Sequence, residues 1–225
     1  MTRYQTRLCS DASCGLRFPV AAGSPLGAAC PHCGAPTGFD GDSYVTHEAR
    51  DDAGARPRGV ELEVLLDNIR SLRNVGSMFR TADGVGVRHL HLGGFTPTPE
   101  HPRMAKTSLG AERAVPWTAH RDGVRAATEL RARGLRLWAL DGGPRSESLF
   151  DVVHETWTWG QDDALALVLG HEVSGVDPRI VDQCERVVQL PMLGVKGSLN
   201  VSVAFAVAVY TLRHGLAAPG SGASA

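Results

Sequence analysis

No stretch of this sequence approaches the roughly 18 consecutive apolar residues that a membrane-spanning helix needs, which argues against a membrane partner. The opening MTRYQTRLCS lacks the apolar core of a secretory signal, so a cytoplasmic protein is expected. Charge of one sign is also missing. Lys+Arg total 23 against 24 Asp+Glu, a net charge of −1, so a nucleic-acid partner would have to be held by a local patch. Lysine is nearly absent: Lys106 and Lys196 are the only two. Two common nucleotide signatures are missing as well. There is no GxxxxGK[ST], and Gly84-Val-Gly86 follows a helical pattern where a dinucleotide fingerprint would follow a strand. A nucleotide-dependent oxidoreductase is thereby disfavoured.

Four of the five cysteines lie before residue 34. Their spacing, Cys9-x4-Cys14 and Cys30-x2-Cys33, fits a two-knuckle zinc site with a hairpin on each side of the metal. In a cytosolic chain such a cluster points to metal, not disulfides. Gly34 follows the last of the four, where a tight knuckle turn uses glycine. His32 is expected to point away. A closed four-thiolate site leaves no open position, so its role is structural, and roughly 45 residues need such a staple in place of a core. Cys184, in PRIVDQCERV, reads as a small apolar residue.

The chain divides by composition into a zinc ribbon at 1–47, a linker at 48–59 (EARDDAGARPRG) with nothing apolar larger than alanine, a main domain at 60–215 and a disordered tail at 216–225. In the main domain, strand-like VELEVLLD, HLHLGG, LRLWAL, LALVLG and VVQLP alternate with helix-like VGSMFRTADGVG, RDGVRAATELRARG and DPRIVDQCERV. Such alternation predicts an α/β fold with a mainly parallel sheet. LALVLG is apolar throughout, as strands covered on both faces are. The last element, SLNVSVAFAVAVYTLRHG, is too long for a strand and apolar nearly all round, a helix to be buried in part by a second subunit.

LGVKGS, a glycine-punctuated loop between a strand and this helix, can bring backbone N–H and C=O groups close to a ligand. Between residues 56 and 113 there are nine Arg and Lys against six acids, and Arg70, Arg73, Arg103, Lys106 and Arg113 are candidate phosphate contacts or ordinary exposed charges.

Three segments resemble, in order, the motifs of the SpoU (TrmH) branch of the SPOUT RNA methyltransferases. LLDNIRSLRNVGSMFRTADGVGV (65–87) is similar to the first, with Asn74, Gly76 and Arg80; LALVLGHEVSGVDP (165–178) to the second, with Gly170 and Glu172; VQLPMLGVKGSLNVSVA (188–204) to the third. KTSLGAERAVPW (106–117) resembles one subgroup. The resemblance covers about residues 62 to 213. It implies a trefoil-knotted α/β domain, a homodimer, and transfer of methyl from S-adenosylmethionine to a ribose 2′-OH of tRNA or rRNA. Matched residue by residue, it implies donor binding by Gly170, Leu190, Met192, Ser198 and Leu199, and a catalytic set of Arg80, Asn74, Glu172, Ser198 and Asn200.

A guanidinium is a poor base but clamps phosphate bidentately, so Arg80 suits positioning and charge stabilisation. The bland alternatives stay open: Leu190 and Leu199 as core, Ser198 and Asn200 as helix caps, Glu172 as a solvated acid or a partner for an arginine or an amide. One departure stands out. His171 replaces the asparagine usual between the Gly and Glu of the second motif, which puts a side-chain role there in question. A non-catalytic zinc-ribbon RNA-binding protein on the same scaffold is the second reading.

Overall fold

The structure, a computed structural model, describes residues 3–45, 60–154 and 163–215. The expected linker at 48–59 and tail at 216–225 lie outside the described residues. By its contacts the chain splits into two compact units, residues 1–55 and 56–225.

The first unit is a small antiparallel sheet. Strand β1 (Arg3–Cys9) pairs with β2 (Arg17–Ala21), β3 (Thr37–Phe39) and β4 (Tyr44–Val45). Among its described residues the only buried apolar ones are Cys9, Val20 and Cys30. The hydrophobic effect therefore offers this unit little, and its rigidity has to come from elsewhere.

The second unit carries seven parallel strands: β5 (Glu61–Asp67), β6 (His89–Gly93), β7 (Trp117–His120), β8 (Arg136–Leu140), β9 (Glu147–Ser148), β10 (Ala164–Leu169) and β11 (Arg186–Gln189). Their spatial order is β7-β6-β5-β10-β8-β11-β9. Among the described residues six α-helices accompany them: α1 (Leu72–Val85), α2 (Met104–Ser108), α3 (Gly123–Ala132), α4 (Leu149–His154), α5 (Pro178–Val181) and α6 (Val201–Gly215). Helices cover both faces. Alternation along β10 shows it directly: Leu165, Leu167 and Leu169 join the cluster under α1, α4 and α6, whereas Ala166 and Val168 join the one under α3 and α5. Met78 and Phe79 of α1 are wholly buried, each stabilising by about 1.5–3 kcal/mol.

Local chemistry sets the ends of α1. The Ser71 side chain accepts from the Asn74 amide at the start, and Gly86 ends the helix at φ 70°. Gly76 is needed for packing: a Cβ there would stand 2.0 Å from Thr107 Oγ1 on α2. Arg213 of α6 is buried with no carboxylate partner among the described residues. Its guanidinium donates to the carbonyls of Val60 (2.6 Å), Gly86 (2.7 Å) and Val85 (3.1 Å), tying α6 to the end of α1 and the start of β5.

Three expectations need correction. The first helix starts at Leu72, three residues before the expected Val75, because Ser71 caps it. The helix expected over 177–187 is only Pro178–Val181. The Glu185 amide is already bonded to Leu137 O, so pairing with β8 takes the chain into β11 at Arg186. That strand ends at Gln189, before Leu190 and Pro191. The final element is helical, as its length required, but begins at Val201, not Ser198; this chain itself buries Phe205, Ala208, Val209, Leu212 and Arg213 along one side of it.

Candidate active site

The carboxyl ends of β8 and β10 and the chain after β11 enclose a cleft of about 450 Å³. Open α/β sheets bind ligands at this edge, and the volume suits a small molecule. All five residues expected to hold the donor line it: Gly170, Leu190, Met192, Ser198 and Leu199. Glu172 and Asn200 line it too. Leu190 packs partly against the core, whereas Leu199 is exposed, so of the two only Leu190 also has a place in the core. Gly170 has a steric reason. A Cβ there would stand 2.2 Å from Gly175 O, so only glycine lets the loop after β10 fold back on itself.

A hydrogen-bonded bridge joins three elements at the cleft. The Glu172 carboxylate accepts from the amides of Arg70 (3.1 Å) and Ser71 (3.3 Å) and from Asn74 Nδ2 (3.1 Å). Burial alone would raise its pKa; the amides of Arg70 and Ser71 and the Asn74 side chain hold it below the ordinary carboxylate value. Asn200 Nδ2 donates to Asn74 Oδ1 at 3.2 Å. Asn200 Oδ1 accepts from the Ser202 amide at 2.9 Å, so Asn200 caps α6 as well. Ser198 lies on the cleft wall, exposed, outside this bridge.

Arg80 is not brought into the cleft lining. It projects from α1, exposed, with no hydrogen bond or ion pair among the described residues. Arg70, Arg73, Arg103, Lys106 and Arg113 are likewise exposed, on α1, α2 and the segments next to them. Arg70 Nε lies 3.9 Å from Glu172 and Arg113 Nε 3.7 Å from Glu112. His171 has a definite place. Its Nδ1 accepts the amides of Val173 and Ser174, each at 3.2 Å, so the imidazole caps the turn of the second motif, as an asparagine oxygen can. Asp141, which sequence reasoning passed over, also lines the cleft. Its signal was available: a polar residue directly after the strand LRLWAL, at the carboxyl edge of a parallel sheet.

In the first unit the four cysteine sulfurs lie within 4.8 Å of one another. Cys9 and Cys33 approach to 3.4 Å, Cys14 and Cys30 to 3.8 Å. Tetrahedral zinc with bonds of about 2.3 Å puts its sulfurs about 3.8 Å apart. Both knuckles turn on glycine in the left-handed region, Gly34 at φ 77° and Gly15, directly after Cys14, at φ 56°. The Cys33 amide holds the Cys30 thiol down at about 6, whereas burial pushes Cys9 up to about 12. His32 is exposed, and only its backbone N–H turns to Cys30 Sγ. Cys184 is half-buried against the α3 and α5 side of the core.

The fold and cleft define an α/β protein with a cleft of small-molecule size at the carboxyl edge of a parallel sheet. Comparison with known proteins narrows this. The model of the SpoU rRNA Methylase family matches residues 61–210. The chain is 32% identical over 155 residues to a tRNA (guanosine(18)-2′-O)-methyltransferase of Thermus thermophilus, covering 69% of this chain and 75% of that one. It is 29% identical over 152 residues to the 23S rRNA (guanosine(2553)-2′-O)-methyltransferase RlmP of Bacillus subtilis, covering 67% of this chain and 57% of that one. The crystal structure of the TrmH/SpoU tRNA modifying enzyme of A. aeolicus superposes with a TM-score of 0.61 at 26% identity, covering 71% of this chain and 77% of that one. This chain belongs to the SpoU rRNA methylase family. It spans little more than half the length of the B. subtilis relative, and its cysteine unit lies outside the matched residues.

Proposed function

We propose that this chain is an S-adenosylmethionine-dependent RNA methyltransferase acting on a ribose 2′-OH of tRNA or rRNA. The observation that carries the reading is the bridge from Glu172 through Asn74 to Asn200 at the mouth of a glycine-walled cleft, with an arginine on the same helix as Asn74 that has no hydrogen bond or ion pair among the described residues. The names of the T. thermophilus and B. subtilis relatives agree with it. Gly170, Leu190, Met192, Ser198 and Leu199 are the residues for the donor, with adenine read by backbone groups of the segment after β11. The donor supplies an electrophilic methyl on a sulfonium. Arg80 clamps the phosphate beside the target ribose and positions the hydroxyl for attack. Asn74, Glu172, Ser198 and Asn200 complete the catalytic set, orienting the loops around the reacting groups. Arg70, Arg73, Arg103, Lys106 and Arg113 contact the RNA backbone.

The first unit is a structural zinc ribbon, in which Cys9, Cys14, Cys30 and Cys33 hold one Zn²⁺; their mutual spacing and the near-absence of an apolar core support this. Leu199, Val203 and Tyr210 leave an exposed apolar stripe along the start and side of α6, which supports a homodimer through that helix. The knotted path of the family is part of the same reading, supported by the return of the chain after β11 to α6, which packs on α1. No helix among the described residues is long and apolar enough to cross a membrane, in keeping with a cytoplasmic enzyme.

The test is methylation of total tRNA and of rRNA by the purified chain with methyl-labelled S-adenosylmethionine, followed by mapping of ribose methylation. Label at a ribose 2′-OH supports the reading. Label on a base, or donor binding with no transfer to any RNA, would overturn it, the latter in favour of the non-catalytic RNA-binding alternative.

A further inference from the structure

The bridge leaves one carboxylate of the cleft free for a ligand. Asp141 follows β8 directly and lines the cleft. Its backbone N–H donates to Val188 O at 3.0 Å, which fixes the residue beside β11. Its Oδ2 accepts the Val176 amide at 2.8 Å, which ties the side chain to the loop after β10. Gly175 makes room for this seat. It stands at φ +76°, and a Cβ there would lie 2.5 Å from Asp141 Oδ2. A carboxylate offers about four acceptor sites. The Val176 amide takes one, and Oδ1 has no hydrogen bond among the described residues. Glu172, the other acid lining the cleft, already faces three donors of its own.

We infer that Asp141 reads the 2′,3′-diol of the methyl donor's own ribose. The inference rests on the proposed donor cleft and goes beyond it, to a specificity-determining side chain. Asp141 is fixed on one side to the loop bearing Gly170 and on the other to the strand that runs into Leu190 and Met192. It thus sits between the two walls, and the ribose is the middle of the ligand, joining adenine to the sulfonium. Vicinal hydroxyls are two donors on adjacent carbons, and an acceptor-only carboxylate at the carboxyl edge of a parallel sheet is the group that recognises them in other α/β proteins.

The experiment is calorimetry on the full chain with three ligands: S-adenosylhomocysteine, 5′-methylthioadenosine, which lacks the amino-acid end, and 2′,3′-dideoxy-5′-methylthioadenosine. Wild type is compared with Asp141→Asn, which keeps an oxygen for the Val176 amide, and with Asp141→Ala. Wild type should bind methylthioadenosine about 10- to 100-fold tighter than its dideoxy form. Asp141→Asn should weaken the two diol ligands by a similar factor and leave the dideoxy ligand within about twofold of wild type, and Asp141→Ala, which also loses the Val176 acceptor, should weaken the diol ligands at least as much. Equal weakening of all three ligands with a lowered melting temperature would mean that Asp141 only seats the loop, and would overturn the inference. So would weakening of S-adenosylhomocysteine alone, which would put the carboxylate on the ligand's ammonium. So would unchanged affinities throughout. If wild type fails to bind S-adenosylhomocysteine, the donor cleft itself is wrong and the inference falls with it.

Discussion

Replacing Arg80 by alanine should separate chemistry from both folding and donor binding. The guanidinium is exposed in the middle of α1 and has no protein partner among the described residues. Removing it breaks no hydrogen bond or ion pair among the described residues, and alanine is the best helix former, so stability should stay within about 0.5 kcal/mol of wild type. The cleft is lined without Arg80, so donor affinity should also hold. Transfer should suffer alone. A positioned charge at a developing transition state contributes about 3–4 kcal/mol, or 10²- to 10³-fold in rate. Arg80→Lys should rescue little, because an ammonium lacks the planar fork that grips phosphate at two points. The assay pairs single-turnover methylation of RNA with calorimetric titration of S-adenosylhomocysteine and a melting curve. A near wild-type rate refutes the assignment. So does a variant whose main defect is lost donor affinity or a lowered melting temperature, since either would place Arg80 in a structural role.

Cys30→Ser should lower zinc from about one per chain towards none and unfold residues 3–45 while the donor cleft keeps its affinity; elemental analysis that finds no zinc in wild type prepared without chelator would contradict this. Sedimentation should give twice 23.9 kDa, and Tyr210→Asp together with Val203→Asp should give the monomer; a wild-type monomer at micromolar concentration would rule out the α6 interface. Glu63, buried on β5, is pushed up by burial but held at about 2 overall by His91 and by the paired guanidinium of Arg133. Its ordinary value is 4.5, so its contribution, roughly 3 kcal/mol, should be complete above that pH and disappear as pH falls towards 2. In urea unfolding, wild type should exceed Glu63→Gln in stability at pH 6 and lose most of that margin by pH 2.5; a margin independent of pH would refute the pairing.

The α/β class, the parallel sheet and the two-sided cover of LALVLG were legible because they are written in local periodicity, and much of the cleft lining because it falls in contiguous motifs. What escaped the sequence depends on partners far along the chain. The early end of α5 follows from pairing with β8. The burial of Arg213 follows from carbonyls more than a hundred positions away. No periodicity announces that Gly76 faces Thr107, or that Asp141 meets Val176. His171 was ambiguous for the same reason: its ring could be assigned only once the turn it caps was in view.

The bridge at Asn74 has a polarity. A carboxylate only accepts, so Glu172 obliges Asn74 to turn its amide nitrogen inward and its oxygen towards Asn200. Asn200 must then answer with nitrogen, which leaves its own oxygen for the first turn of α6. One negative group thereby sets the orientation of two side-chain amides in series, and the cap of the last helix is decided at the second motif. An isosteric Glu172→Gln would remove that constraint without removing an atom of volume. Both amides could then reverse, and the helix with the exposed apolar stripe would lose its cap at the same moment as the cleft loses its order.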